Sequence, residues 1–154
     1  TSYSDIKRLG VIVCGFFGVG KSSVPQYRKD IKFYDLDAKH FVKEPGWEIM
    51  YVDCAMALRH DYDIVAIKSS DKVMNRLREL GEDFYLVYPS RYAKRDFMER
   101  AVKNNYSRQW IEQFFSKWDR YIEEVEEEDS GRKIILQSGE YLSDIVDRLV
   151  RFRA

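Results

Sequence analysis

Residues 8–22 read RLGVIVCGFFGVGKS, and this stretch decides the fold. Residues 8–15 are a short apolar run closed by glycine, the pattern of a strand buried on both faces of a parallel sheet. Residues 15–22, Gly15-Phe16-Phe17-Gly18-Val19-Gly20-Lys21-Ser22, match G-x-x-x-x-G-K-[ST] at every fixed position. A chain that turns its amides inward around an anion needs backbone dihedrals that glycine tolerates. A helix is expected over residues 21–29, short or bent because Pro25 sits early in it. Its N-terminus would add a positive dipole end to the anion cradle. The candidate nucleotide-binding residues are therefore Gly15, Gly18, Val19, Gly20, Lys21, Ser22 and Ser23. Lys21 is placed to reach the β- and γ-phosphates, and Ser22 to offer a hydroxyl to Mg²⁺. No N-K-x-D guanine reader occurs in the chain, so ATP is expected rather than GTP.

Outward from this loop, strand-like and helix-like segments alternate. Residues 31–35 (IKFYD), 63–68 (DIVAIK), 83–88 (DFYLVY) and 133–137 (KIILQ) read as further strands. Helices are expected over 47–60, over 71–80 with Gly81 at the left-handed position beyond its end, over the basic stretch 91–103, over 107–127 as one long helix, and over 142–152 with Ser143 as its N-cap. Strands alternating with helices imply a five-stranded parallel sheet with helices on both faces, an α/β fold. The chain reads as one domain, residues 1–154, with a basic helical lid around 90–108.

Composition narrows the classes. The chain has 154 residues, 45% hydrophobic and 15% aromatic, which excludes a disordered chain. Eight glycines and three prolines exclude collagen-like and proline-rich sequences. Lys plus Arg number 26 and Asp plus Glu 26, so a protein that coats nucleic acid by bulk charge is not expected, although a local basic groove is. Cys14 and Cys54 are the only cysteines, too few for a four-ligand zinc site. No stretch approaches the roughly 18–20 apolar residues of a membrane helix, and none reads as a signal peptide. No membrane contact is expected, and the expected location is the cytoplasm.

Two acids close the second strand, Asp35 and Asp37. Strand C-termini converge on the ligand crevice of such a sheet, so a carboxylate here would lie near the γ-phosphate. Asp35 is the candidate base for an attacking hydroxyl, and Asp37 the candidate to hold Mg²⁺ through water. A turn or helix cap is the other reading of both. Lys39, His40, Lys43 and Trp47 follow, where an acceptor would sit; Trp47 could stack a base or belong to the core. The third strand ends in Lys68-Ser69-Ser70-Asp71 without an acid at its tip, which weakens a hydrolytic motor reading. Arg91, Lys94, Arg95, Arg100, Lys103 and Arg108 cluster after the fourth strand. Cations there would stabilise charge on a transferring phosphoryl group, with Arg91, Lys94 and Arg100 the catalytic candidates beside Lys21 and Asp35.

With these segments assembled, the chain resembles the nucleoside-monophosphate-kinase-like P-loop kinases, and within them the small phage and prophage 5-hydroxymethyluracil DNA kinases. The resemblance is carried by residues 15–22, Tyr34-Asp35-Leu36-Asp37 with Phe41, residues 63–70 (DIVAIKSS), residues 84–91 (FYLVYPSR) on to Met98-Glu99-Arg100, residues 118–122 (WDRYI) and 139–144 (GEYLSD). It implies a sheet ordered 2-3-1-4-5, ATP and Mg²⁺ as co-substrate and metal, and a γ-phosphoryl acceptor in DNA or on a nucleotide. The implied setting is a phage-infected or prophage-carrying bacterium. A hydroxyl acceptor needs a base, which the acid pair supplies. A deoxynucleoside monophosphate needs only cations, and a nucleotide-binding module without catalysis needs neither.

Overall fold

The computed structural model describes residues 9–150. Arg8 of the expected first strand and residues 151–152 of the expected last helix lie outside the described residues.

Five strands, β1 (Val11–Gly15), β2 (Phe33–Asp35), β3 (Ile64–Lys68), β4 (Tyr85–Pro89) and β5 (Arg132–Leu136), form one sheet. Its order is β2-β3-β1-β4-β5 and every neighbouring pair is parallel, as the sequence and its resemblance imply. Residue alternation sorts the core into two layers. Val13, Ile64 and Val87 face helices α1 (Ser23–Tyr27), α4 (Lys94–Lys103), α5 (Arg108–Phe115), α6 (Trp118–Glu127) and α7 (Leu142–Val150). Ile12, Cys14, Val65, Ile67 and Leu86 face α2 (Trp47–Leu58) and α3 (Asp71–Glu79). The central strand β1 therefore delivers residues 15–22 to the middle of the sheet's C-terminal edge.

Three expectations need correction. The first helix covers five residues, Ser23–Tyr27, instead of 21–29; Pro25 brings no N–H to the ladder, and Arg28 leaves helical geometry while its amide closes on Val24. The expected long helix over 107–127 is two, α5 and α6, broken at Ser116 and Lys117. There the Ser116 hydroxyl donates to the Gln113 carbonyl at 2.8 Å, and Lys117 departs from helical dihedrals. The apolar stripe survives the break, because Ile111, Phe115, Trp118 and Ile122 are all buried in one cluster. Finally, Ser143 is not a cap. It is buried inside α7, and the end is tied instead by the Tyr141 amide, which donates to Asp144 at 2.8 Å. Helix α3 is capped by Ser70, which accepts from the Val73 amide at 3.3 Å.

Candidate functional site

The loop between β1 and α1 has its carbonyls tied outward. Gly18 O accepts from Arg100 Nη1 at 2.7 Å. Val19 O accepts from the Leu142 amide at 2.8 Å, and Gly20 O from the Ser23 amide at 3.0 Å and from the Ser23 hydroxyl. In contrast, the amides of Phe17, Gly18, Gly20, Lys21 and Ser22 donate to no protein group among the described residues. Successive backbone amides left without protein acceptors at a glycine turn are a donor set that suits an anion. Gly18 and Gly20 sit at φ +80 and +81, where side chains are strained. A Cβ on Gly18 would lie 2.9 Å from the Phe97 ring, and one on Gly20 2.5 Å from the Tyr141 ring. Helix α1 is only five residues long, so the donors the loop can offer an anion are its amides more than a helix dipole.

Beside it, Lys21 Nζ lies 3.3 Å from Asp35 Oδ1, both side chains partly exposed. The β2 tip reaches Lys21 because Tyr51 pins it: the Tyr51 hydroxyl donates to Leu36 O at 2.6 Å and accepts the Lys68 amide at 2.7 Å. This fully buried residue of α2 links the ends of β2 and β3 where their ladder stops, and burial pushes its phenol well above the usual range. Asp37 caps a short 3-10 turn, Ala38–His40, by accepting the Lys39 amide at 2.9 Å. That bond, opposed by slight burial and aided by the Lys39 ammonium, holds its carboxyl below the usual carboxylate range.

Lys21, Asp35 and Asp37 line one cavity of about 680 Å³. Phe16, Phe17, Phe114 and Tyr121 form an aromatic wall, and Lys39, Lys43, Lys68 and Asp71 also border it. Far along the chain, Glu124 and Glu128 of the α6 region border it too. Burial opposes charge on Glu128, but the Ser130 hydroxyl and amide, with Arg78 and Lys133, outweigh it and hold the carboxyl below its usual range. The cavity touches Gly15–Phe17 and Lys21 but not Gly18–Gly20, so it opens from the end of the cradle that Lys21 marks.

The basic residues go elsewhere. Arg91 and Lys94 do not line the cavity; Arg91 pairs with Glu126 at 3.6 Å, and Lys94 is an exposed residue at the start of α4. Arg95 and Arg108 pair along their own helices with Glu99 and Glu112, as solvated i,i+4 faces do. Helix α4, expected as a lid, packs against the body with Phe97 and Ala101 fully buried, and none of its residues lines the cavity. Arg100, expected over the phosphates, lies behind the loop at 5% exposure. Ser23 is likewise buried, its hydroxyl bonded to Gly20 O and to the Ser143 amide. The Trp47 ring packs on Tyr51 and carries the Lys43 ammonium at 4.6 Å; it is outside the cavity lining. Sequence reasoning missed the Tyr51 pin, the Phe16–Phe17 wall and Glu128. Only the two phenylalanines carried a signal, standing inside the motif itself.

The sequence matches no family model and no curated protein. Among solved structures it is similar over 94% of its length to a gluconokinase from Sinorhizobium meliloti 1021, covering 91% of that chain at 15% identity and a TM-score of 0.53. It is also similar over 96% of its length to the SH3-kinase fragment of tight junction protein 3 in apo form, at 11% identity and a TM-score of 0.56. It spans 58% of that fragment. The likeness is one of fold: the chain has the architecture of a P-loop kinase, with no acceptor specified at such identities.

Proposed function

We propose that this protein is an ATP-dependent kinase that transfers a γ-phosphoryl group to a hydroxyl, with 5-hydroxymethyluracil in DNA the favoured acceptor. One observation carries the reading: five loop amides, that of Lys21 among them, have no protein acceptor among the described residues, and Lys21 Nζ is 3.3 Å from Asp35 in a cavity of about 680 Å³. The amides and Lys21 would take the β- and γ-phosphates. Lys21 would then leave Asp35 for the nucleotide, freeing the carboxylate to accept the proton of the attacking hydroxyl. The hydroxyl oxygen forms its bond to the γ-phosphorus as the bond to the β–γ bridging oxygen breaks, and ADP leaves.

No three His, Cys, Asp or Glu side chains converge to hold a metal by themselves among the described residues. Mg²⁺ takes one or two protein oxygens and completes its shell with phosphates and water. The exposed Ser22 hydroxyl and Asp37 are the residues to hold it; when bound it would neutralise charge between the β- and γ-phosphates. Arg91 and Lys94 stand outside the cavity, and the cations that line it are Lys21, Lys39, Lys43 and Lys68.

Deoxynucleoside monophosphate kinase activity is the second reading. An acceptor phosphate is best held by the bidentate fork of arginine. No arginine lines the cavity among the described residues, whereas Glu124 and Glu128 do. This favours a neutral hydroxyl over a phosphate dianion as the accepting group that enters the cavity. Among the described residues no helix is long and apolar enough to cross a membrane, and the cytoplasm of a phage-infected or prophage-carrying bacterium is the setting that fits. The test is incubation with γ-labelled ATP and parallel acceptors: hydroxymethyluracil-containing DNA, plain DNA, each deoxynucleoside monophosphate, gluconate and water. Label is expected only on the modified DNA. Label on a monophosphate would establish the second reading, and release to water alone would remove the transferase reading.

A further inference from the structure

Arg100 is built into the molecule in a way that surface charge does not require. Its guanidinium lies between two rings, 4.1 Å from the Phe97 centroid and 3.9 Å from the Tyr141 centroid. These are the same two rings that occupy the space beside Gly18 and Gly20, where side chains would otherwise project. Arg100 Nη1 donates to Gly18 O at 2.7 Å. Nη2 donates to Asp96 at 2.8 Å and to the Glu140 carbonyl. Asp96 in turn accepts the Gly139 amide at 3.0 Å. One buried cation thus joins the phosphate loop, helix α4 and the turn between β5 and α7.

The direction of these bonds matters. In a trans peptide unit the carbonyl and the next residue's amide point opposite ways. Gly18 O, held by Arg100, thus sets the Val19 amide, which donates to Phe16 O at 3.3 Å and closes the first turn of the loop. Val19 O, held by the Leu142 amide beside the turn that Arg100 braces, sets the free Gly20 amide. Interactions preorganised before binding cost no reorganisation when the ligand arrives. Arginine suits the task because its flat fork can stack on two faces and donate to two carbonyls at once, which a lysine ammonium cannot do. We propose that Arg100 is the positioning residue of the phosphate loop: it fixes the inward orientation of the loop amides and couples the loop to the 139–141 turn, without touching the nucleotide. This rests on the nucleotide-binding reading above.

The test compares Arg100→Lys, Arg100→Met and Tyr141→Leu with Leu77→Ala, a change in the opposite core layer, all at a temperature where each is folded by circular dichroism. Two readouts are taken. One is the affinity for a fluorescent N-methylanthraniloyl ATP. The other, made without nucleotide, is amide exchange by NMR at Gly139 and Leu142. Wild type is expected to bind; Arg100→Lys and Tyr141→Leu should weaken binding at least about tenfold and speed exchange at both amides by a similar factor. Leu77→Ala, though destabilised, should bind within about twofold of wild type. Should Arg100→Met fail to fold, Arg100→Lys and Tyr141→Leu decide alone. Unchanged ATP affinity in folded Arg100→Lys overturns the proposal, as does an equal loss in Leu77→Ala. Failure of wild type to bind the ATP analogue while the exchange effects persist overturns the nucleotide reading instead, and the positioning role with it.

Discussion

Asp35→Asn separates a hydroxyl kinase from every other use of this site. The change keeps the size of the side chain and removes its charge and its basicity. Its structural cost is small: the Lys21–Asp35 contact is 3.3 Å, with side chains 36% and 46% exposed, and ion pairs so open to water contribute about 0–1 kcal/mol. A folded domain has about 5–15 kcal/mol in reserve, so the variant should stay folded, with a melting temperature within a few degrees of wild type. A positioned base, by contrast, is worth about 10²–10⁴ in rate, or roughly 3–5.5 kcal/mol of barrier at about 1.4 kcal/mol per factor of ten. A rate loss of that size cannot come from unfolding, since less than about 1 kcal/mol of stability is at stake. The assay is turnover of γ-labelled ATP on hydroxymethyluracil-containing DNA, with ATP affinity measured separately. The expected result is a fall of two to four orders of magnitude with ATP affinity changed little. Asp37→Asn is the control, and its defect should ease as Mg²⁺ is raised. Full activity of Asp35→Asn on every acceptor would reduce the acids at the tip of β2 to turn residues and refute the role of a base.

Lys21→Ala should abolish transfer while leaving urea stability nearly unchanged, because Lys21 is partly exposed and its ion pair is open to water; near-wild-type turnover would refute the phosphate-loop assignment. Tyr51→Phe leaves the Leu36 carbonyl and the Lys68 amide without their buried partner, and urea unfolding should show a loss of about 1–3 kcal/mol, with turnover reduced as the tips of β2 and β3 loosen; a loss under 0.5 kcal/mol would mean water replaces the hydroxyl. Burial, with a smaller push from Glu128, raises the Cys14 thiol from 9.0 to about 12. The unfolded chain loses this proton first, so the thiol's contribution is steady below about pH 9 and falls as pH rises from about 9 to about 12. Relative to Cys14→Ala, wild type should lose about 2 kcal/mol by pH 10.5, and equal pH dependence of the two would contradict the burial.

The sheet and the loop were legible because their signals are local. A strand period and a glycine turn depend on neighbours within a few residues, and the residues 15–22 motif carries its own stereochemistry. The cations were not, because charge alone does not tell a surface from a core. Yet a signal was present. Ala93, Phe97, Arg100 and Ala101 fall at helical spacing on one face and are all buried, while Lys94, Arg95, Glu99 and Lys103 occupy the other and are exposed. Arginine on the apolar stripe, four residues after Asp96, reads as a buried structural pair once the stripe is drawn first. The Tyr51 pin had no such signal. A stripe does not tell tyrosine from phenylalanine, and both partners of its hydroxyl lie on other elements, at Leu36 and Lys68.

The phosphate-loop pattern leaves its interior positions open, and here that freedom has structural content. Phe17 lies 4.8 Å from Trp110 and 5.1 Å from both Tyr106 and Phe114, while Phe16 meets Trp118 at 5.7 Å. Aromatic pairs in these geometries contribute about 0.5–1.5 kcal/mol each beyond burial, so the start of the loop is fastened to α5 and α6 by side chains, and its middle by Arg100 through the backbone. The two rings share one neighbour, Phe114 of α5, 6.0 Å from Phe16 and 5.1 Å from Phe17, and Phe16 also reaches Trp118 at the start of α6. The loop therefore packs against both helices across their break at Ser116 and Lys117. The cradle's rigidity is therefore a property of packing on both sides of the loop, and its amides need no long helix behind them to stay in place.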